Sequence, residues 1–307
     1  MKGNIKEKLW KINTFRRIVQ FISFILFCAG IFDLTAFFFP LPILWTWSFK
    51  WNVIGDAYTA LQLMLYNVTF PWLPLASFLI IGIVLGRSFC GWICPFGLIQ
   101  DLIGYVRRKK MEVSLRTHRS AIYVKYFILA ITLFISATFS AAKIQGISRS
   151  YESALGIFAK APFTVLSPAE TLFGIIPSKI LGFYDAIFEK PLAEAFSGIL
   201  TLPPLFWVQF FIMGAVLVLA AYVPRIWCKY FCPVGAILAL LNKFSFLGLR
   251  RELTKCAKGE CRICVDVCPM KVRLLDLHWE KINDPECIYC LKCIDACPNK
   301  AIKLKYP

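Results

Sequence analysis

Histidine is nearly missing from this chain: there are two in 307 residues, His118 and His278. Both fall outside the long apolar stretches, so a membrane haem held by paired histidines is excluded. Neither Gly-x-Gly-x-x-Gly nor Gly-x4-Gly-Lys-Ser/Thr occurs, which removes a bound dinucleotide and nucleotide hydrolysis. Acidic residues are scarce too, 18 against 35 Lys plus Arg, for a formal net charge of +17. Such a charge could mark a nucleic-acid partner, but the basic residues gather at the borders of apolar runs. No nucleic-acid partner is expected.

Apolar residues fill the space left by charge. At 58% hydrophobic, with 28 phenylalanines, the chain is not an ordinary soluble domain. Four stretches are long and apolar enough to cross about 30 Å of hydrocarbon as helices: Ile18–Phe39, Pro71–Phe89, Ala121–Ala142 and Pro204–Val223. Asp33 interrupts the first, and no small-residue cleavage site follows it, so it reads as a span and not as a cleavable signal.

Six basic residues precede the first span (Lys2, Lys6, Lys8, Lys11, Arg16, Arg17) and six separate the second from the third (Arg107, Arg108, Lys109, Lys110, Arg116, Arg119). The connection from Pro40 to Phe70 carries only Lys50. By the positive-inside rule both chain ends face the cytoplasm of a multi-pass cell-membrane protein in contact with lipid. The expected fold is an all-α membrane domain of four transmembrane helices in two pseudo-twofold hairpins, with a small α+β cytoplasmic domain. Its expected boundaries are a basic N-terminus at 1–17, the membrane domain at 18–240 and the tail at 241–307.

Within the first span Cys28 has no partner cysteine and reads as small buried filler, whereas Asp33 is an intramembrane carboxylate and a candidate functional group. Outside the membrane, Trp45, Trp47 and Trp51 precede the short apolar run Ala57–Tyr66, which suggests an interfacial helix under an aromatic belt. The longer stretch Lys143–Leu202 mixes prolines with amphipathic segments such as Leu181–Phe196. The two loops are expected to form a cap on the outer leaflet.

The second and fourth spans end alike. Arg87-Ser-Phe-Cys90-Gly-Trp-Ile-Cys94-Pro95-Phe-Gly97-Leu-Ile99 aligns without gaps with Arg225-Ile-Trp-Cys228-Lys-Tyr-Phe-Cys232-Pro233-Val-Gly235-Ala-Ile237, identical at six of thirteen positions. Cys-x3-Cys places two sulfurs on one helical face, and the following Pro-x-Gly lets the helix bend. Cys90, Cys94, Cys228 and Cys232 could together supply four thiolates to a third cluster or a soft metal. Thiol redox or copper chemistry, and plain packing of helix ends, stay open beside that. Arg87 and Arg225 either offset thiolate charge or anchor the helices at the interface.

Eight more cysteines lie in the 42 residues from Cys256 to Cys297. The second run is Cys287-x2-Cys290-x2-Cys293-x3-Cys297-Pro298, and the first, Cys256-x4-Cys261-x2-Cys264-x3-Cys268-Pro269, differs only in its opening gap. Structural zinc favours separated Cys-x2-Cys pairs, and disulfides do not suit a cytosol-facing segment. Three close thiolates hold one cubane while the cysteine before proline reaches the other. Cys256, Cys261, Cys264 and Cys297 are therefore expected to hold one [4Fe-4S] cluster, and Cys287, Cys290, Cys293 and Cys268 the second. Lys271–Leu277 and Ala301–Lys305 are the expected strands of this domain, Leu241–Thr254 its tether, and Arg250, Arg251, Lys255 and Lys258 a basic rim for anionic headgroups or an acidic partner.

Two Cys-x3-Cys-Pro motifs followed by paired ferredoxin motifs resemble, over nearly the whole chain, the membrane polyferredoxins of the NapH type, related to the membrane portion of NosR and to the CcoG group. The resemblance implies a membrane-bound iron–sulfur electron-transfer subunit that relays electrons between quinol, or another membrane redox partner, and a respiratory oxidoreductase. It does not settle which subunits it assembles with, or whether the chain is itself a quinol dehydrogenase. Asp33, Gln20 and Gln209 are the polar groups that would line a quinone pocket. The alternative is a protein that handles or reduces copper at its rim cysteines with ferredoxin electrons.

Overall fold

The computed structural model describes residues 2–27, 39–47, 54–107, 111, 113–189, 203–257 and 261–306. Cys28, Asp33, Trp51, Lys258 and residues 190–202 of the second external stretch lie outside these. Helix α1 (Lys2–Phe27) runs unbroken through the expected boundary after residue 17. Among the described residues two helices are long and apolar enough to cross a membrane: α6 (Leu115–Ile144), about 45 Å long, and α9 (Pro204–Tyr222), about 28 Å long.

The second expected span is not one helix. Helix α3 (Trp72–Val84) covers only about 20 Å, the chain turns at Leu85–Arg87, and a five-residue helix, α4 (Ser88–Trp92), follows. The turn needs Gly86. Its φ is +59°, and a Cβ there would lie 2.1 Å from Asn242 Oδ1 and 3.0 Å from the Tyr289 ring. Phe21 of α1, Ile80 of α3, Phe127 and Phe134 of α6 and Phe211 of α9 are all exposed, an apolar outer face of the kind lipid covers.

The sequence repeat is also a structural one. Helices α3, α4 and α5 (Pro95–Val106) answer to α9, α10 (Ile226–Tyr230) and α11 (Pro233–Asn242). In both copies the second cysteine caps the last helix and proline occupies its first turn, where the missing N–H costs nothing.

The run expected to lie at the interface is packed into the fold over its first half. Strand β1 (Phe39–Leu41) pairs in parallel with β2 (Ile54–Asp56), which leads into α2 (Ala57–Tyr66). The first six residues of α2 are buried, and the helix packs on α3 and α6. Burial is tolerated because the polar groups pair among themselves. Tyr58 bonds Thr132 of α6, Thr59 Oγ1 meets Thr164 Oγ1 at 2.8 Å, and Gln62 Oε1 accepts from Phe163 N at 3.0 Å. Two further helices, α7 (Ser148–Leu155) and α8 (Ile176–Glu189), complete the described outer stretches.

The C-terminal domain holds β3 (Gly248–Arg251), α12 (Ile263–Asp266), α13 (Lys292–Ala296) and β4 (Ile302–Lys305), with β3 antiparallel to β4. Two expectations fail here. Lys271–Leu277 turns and is not a strand, because Lys271 takes a φ of +58° directly after Cys-Pro-Met. The expected tether Leu241–Thr254 is an ordered part of the fold, containing the end of α11 and all of β3.

Candidate functional site

The cysteine-rich tail folds around two cavities. One is lined by Cys256, Cys261, Cys264 and Cys297 together with Lys255, Ile263 and Leu275. The other is lined by Cys268, Cys287, Cys290 and Cys293 with Met270, Val272 and Tyr289. Each cavity thus gathers three cysteines of one run and the Cys-Pro cysteine of the other. The two halves match in detail. Val272 N donates to Cys268 Sγ at 3.4 Å and Ala301 N to Cys297 Sγ at 3.3 Å. Amide bonds of this kind favour thiolate sulfur.

Four thiol donors around an apolar-walled cavity fit a cubane, and they do not fit a single ion. Among the described residues no three His, Cys, Asp or Glu side chains come close enough to share one metal ion. That holds for the rim cysteines as well. Cys90, Cys94, Cys228 and Cys232 are all buried as free thiols, and Cys90, Cys94 and Cys232 lie in the same core as Cys287 and Cys290. Burial pushes the Cys94 thiol up to about 12 and raises Cys228 and Cys232 as well. Reactive redox thiols are instead partly exposed and shifted downward.

The two arginines that precede the rim pairs are not interfacial anchors. Both are fully buried, and each reaches the opposite half of the repeat. Arg87 Nη2 donates to Cys228 O at 2.5 Å, and Arg225 Nη1 donates to Cys90 O at 2.6 Å. The motif glycines make room for them. A Cβ on Gly235 would lie 2.9 Å from Arg87 Nη2, and one on Gly97 would crowd the carbonyl that Arg225 reaches, at 3.1 Å from Cys90 O.

Each arginine has a buried acid. Arg225 binds Asp101 of α5 at 2.6 and 2.9 Å, and Arg16 and Arg17 of α1 bind the same carboxylate at 3.2 and 2.9 Å. Burial alone would raise the Asp101 carboxyl, but Arg225, then Arg16 and Arg17, hold it well below the usual carboxylate range. Arg87 binds Glu286 at 2.7 Å, and Lys125 of α6 holds the other oxygen of that carboxylate. Burial likewise opposes ionisation of Glu286, and Arg87 and Lys125 outweigh it.

Glu286 stands directly before Cys287, so this ion pair fastens a cysteine loop to the rim. Other bonds do the same. Asn242 Nδ2 donates to Asp284 O at 2.6 Å and Cys287 O at 3.3 Å, and Trp92 Nε1 donates to Tyr289 O at 2.8 Å. A Cβ on Gly91 would lie 2.3 Å from Ile288 O, so only glycine admits that loop. The cavity of Cys268, Cys287, Cys290 and Cys293 is therefore the proximal one. Cys256, Cys261 and Cys297 of the distal cavity are half-buried, beside exposed Lys255 and Lys300.

The three polar groups expected to line a quinone pocket do not meet in the described structure. Gln20 Nε2 donates to Gly91 O at 3.2 Å and Gln209 Nε2 to Val165 O at 2.8 Å, each as a packing bond, while Asp33 lies outside the described residues. Asp101, Lys125, Asn242 and Glu286 were not anticipated. One signal was available: Lys125 is a charge inside an otherwise apolar span.

Comparisons with known proteins bear on the same residues. A family described as a 4Fe-4S binding domain matches twice, at 69–114 and 205–252, and one described as a 4Fe-4S dicluster domain matches 248–298. An uncharacterized protein of Methanocaldococcus jannaschii is 26% identical over 73% of this chain and 66% of its own length. Escherichia coli YccM, named for electron transport, is 24% identical over 74% of this chain and 53% of its own. The ferredoxin-type protein NapH of Haemophilus influenzae is 24% identical over 72% and 63%. The chain resembles the membrane polyferredoxins of the NapH and YccM type, and carries the two kinds of 4Fe-4S domain named above.

It follows that this is an iron–sulfur electron-transport protein with two [4Fe-4S] clusters in its C-terminal domain. The two apolar helices and the NapH-type relatives make it a membrane protein. The matches span less than two thirds of the NapH and YccM relatives' own length. No solved structure is significantly similar.

Proposed function

We propose that the chain is the membrane-bound relay of a respiratory oxidoreductase, passing electrons between quinol or a membrane redox subunit and a partner on the cytoplasmic side. The observation that carries this is the docking of the Asp284–Tyr289 loop on the rim through Arg87, Asn242, Trp92 and Lys125. It puts one cysteine cavity against the membrane domain and leaves the other toward solvent.

Cys268, Cys287, Cys290 and Cys293 would hold the proximal cluster, and Cys256, Cys261, Cys264 and Cys297 the distal one. When bound, the clusters supply one-electron carriers at the two cavities. The residues around them keep the proximal loop seated, shield it from water and leave the distal edge open to a partner. Four spans with both ends cytoplasmic are part of the proposal, supported by the basic flanks of α1 and α6 and by the apolar outer faces of α1, α3, α6 and α9.

The rim cysteines belong to the same relay as ligands of a third cluster. Each match to the 4Fe-4S binding family contains a single Cys-x3-Cys pair and no other cysteine, so a cubane's four thiolates require both matches. The reciprocal arginine bonds to Cys90 O and Cys228 O hold the two pairs against each other.

Iron and sulfide analysis of protein purified without oxygen tests these assignments. About twelve irons per chain are expected with the rim cluster and about eight without it. Fewer than about four would overturn the relay. Reduction of the clusters by a quinol analogue, followed by EPR, tests the donor.

A further inference from the structure

Position 229 is where the two halves of the repeat part company. The first half has Gly91, pressed against Ile288 O. The second has Lys229, whose side chain is buried although no hydrogen bond or ion pair reaches its ammonium among the described residues. The amine opens on a crevice between the rim and the C-terminal domain, walled on the far side by Cys268, Pro269 and Lys271. The other cations there, Arg262, Lys271 and Arg273, add to its isolation. A buried charge without a partner is costly; of the groups on this crevice that can bear negative charge, Asp101 is held by three arginines and Asp266 is exposed, which leaves Cys268.

We propose that Lys229 is the counter-charge of the proximal cluster and that it raises the midpoint potential of that cluster relative to the distal one. The proposal rests on the relay described above and on Cys268 belonging to the proximal set. Taking up one electron makes a thiolate-bound cluster more negative, and a fixed cation in a low-dielectric interior stabilises the more negative state. The distal cavity has no equivalent: the lysine lining it, Lys255, is more than half exposed and is already paired with Glu252 at 2.8 Å.

The test is an EPR-monitored reductive titration of the intact, cluster-loaded protein in nanodiscs, comparing wild type with Lys229→Met and Lys229→Arg. The two signals are assigned with Cys268→Ser and Cys297→Ser. Lys229→Met is expected to shift the proximal midpoint downward and leave the distal midpoint in place, and Lys229→Arg to restore the wild-type value. An unshifted proximal midpoint in Lys229→Met at full iron content overturns the proposal, as does an equal shift of both clusters. If Lys229→Met loses iron, Lys229→Gln is titrated instead, and an unmoved midpoint there is equally decisive. Failure of the relay itself would show differently, as missing cluster signals in the wild-type protein.

Discussion

The guanidinium of Arg225 donates to the carbonyl oxygen of Cys90 across the repeat, 2.6 Å away, while Arg87 makes the matching bond to Cys228. Neither bond can be lost alone without cost, because each arginine also neutralises a buried carboxylate.

Arg87→Ala should leave Glu286 with Lys125 as its only cation and destabilise the protein by about 3–5 kcal/mol, the range for breaking a buried pair from one side. Arg87→Lys keeps the charge but not the fork that reaches both Cys228 O and Glu286, and should lie between. Thermal unfolding in detergent ranks the three proteins. Limited proteolysis near Lys243–Leu247 should show earlier release of the C-terminal domain in Arg87→Ala.

Gly91→Ala should push a Cβ into the carbonyl of Ile288 and cost about 1–3 kcal/mol. Gly214→Ala in α9 is the control, since its Cβ meets nothing within 4 Å and removes a helix-weakening glycine. Thermal unfolding should move downward in the first variant and stay level or rise in the second.

How much of this was legible beforehand differs between the two ends of the chain. The cysteine spacing is a local code, and the cavities gather the cysteines in the sets that spacing implied. The repeat was legible for the same reason, as an ungapped identity. What escaped was long-range. Asp101 and Glu286 look like unremarkable acids until folding brings Arg225, Arg16, Arg87 and Lys125 to them over separations of 84 to 199 residues. Pro71–Phe89 has the composition of a span, but Gly86 and Asn242 break it into two helices for the sake of a contact that hydropathy does not register. The run Ala57–Tyr66 was read as interfacial because its polar partners, Thr132 and Thr164, lie far along the chain.

Cys297→Ser and Cys268→Ser distinguish crossed from uncrossed ligation. With crossed ligation, Cys297→Ser perturbs the cluster that Cys256→Ser also perturbs, and Cys268→Ser the one shared with Cys287→Ser. Each serine variant should lose up to about four irons and one of the two EPR signals that belong to the C-terminal domain. If Cys297→Ser and Cys287→Ser affect the same signal, the assignment is wrong.

Acid should weaken the junction through Asp101. Its folded carboxyl titrates below the unfolded value of about 3.9, so its stabilisation is complete above that value and is lost as pH falls below it. Wild type should lose thermal stability steeply below about pH 4. Asp101→Asn should be less stable at neutral pH, where three arginines lose their counter-charge, and should show a flatter acid limb. Unfolding midpoints from pH 3 to pH 8 measure both.

Helix α1 packs against α13, the helix of the last cysteine motif, as well as against α4 and α5. During synthesis helix α1 therefore has no complete seat until the helix of the last cysteine motif has been made. Its two arginines must wait in the headgroup region for Asp101, and its inner face for Lys292–Ala296. Seating of helix α1 thus requires that the iron-binding end has folded.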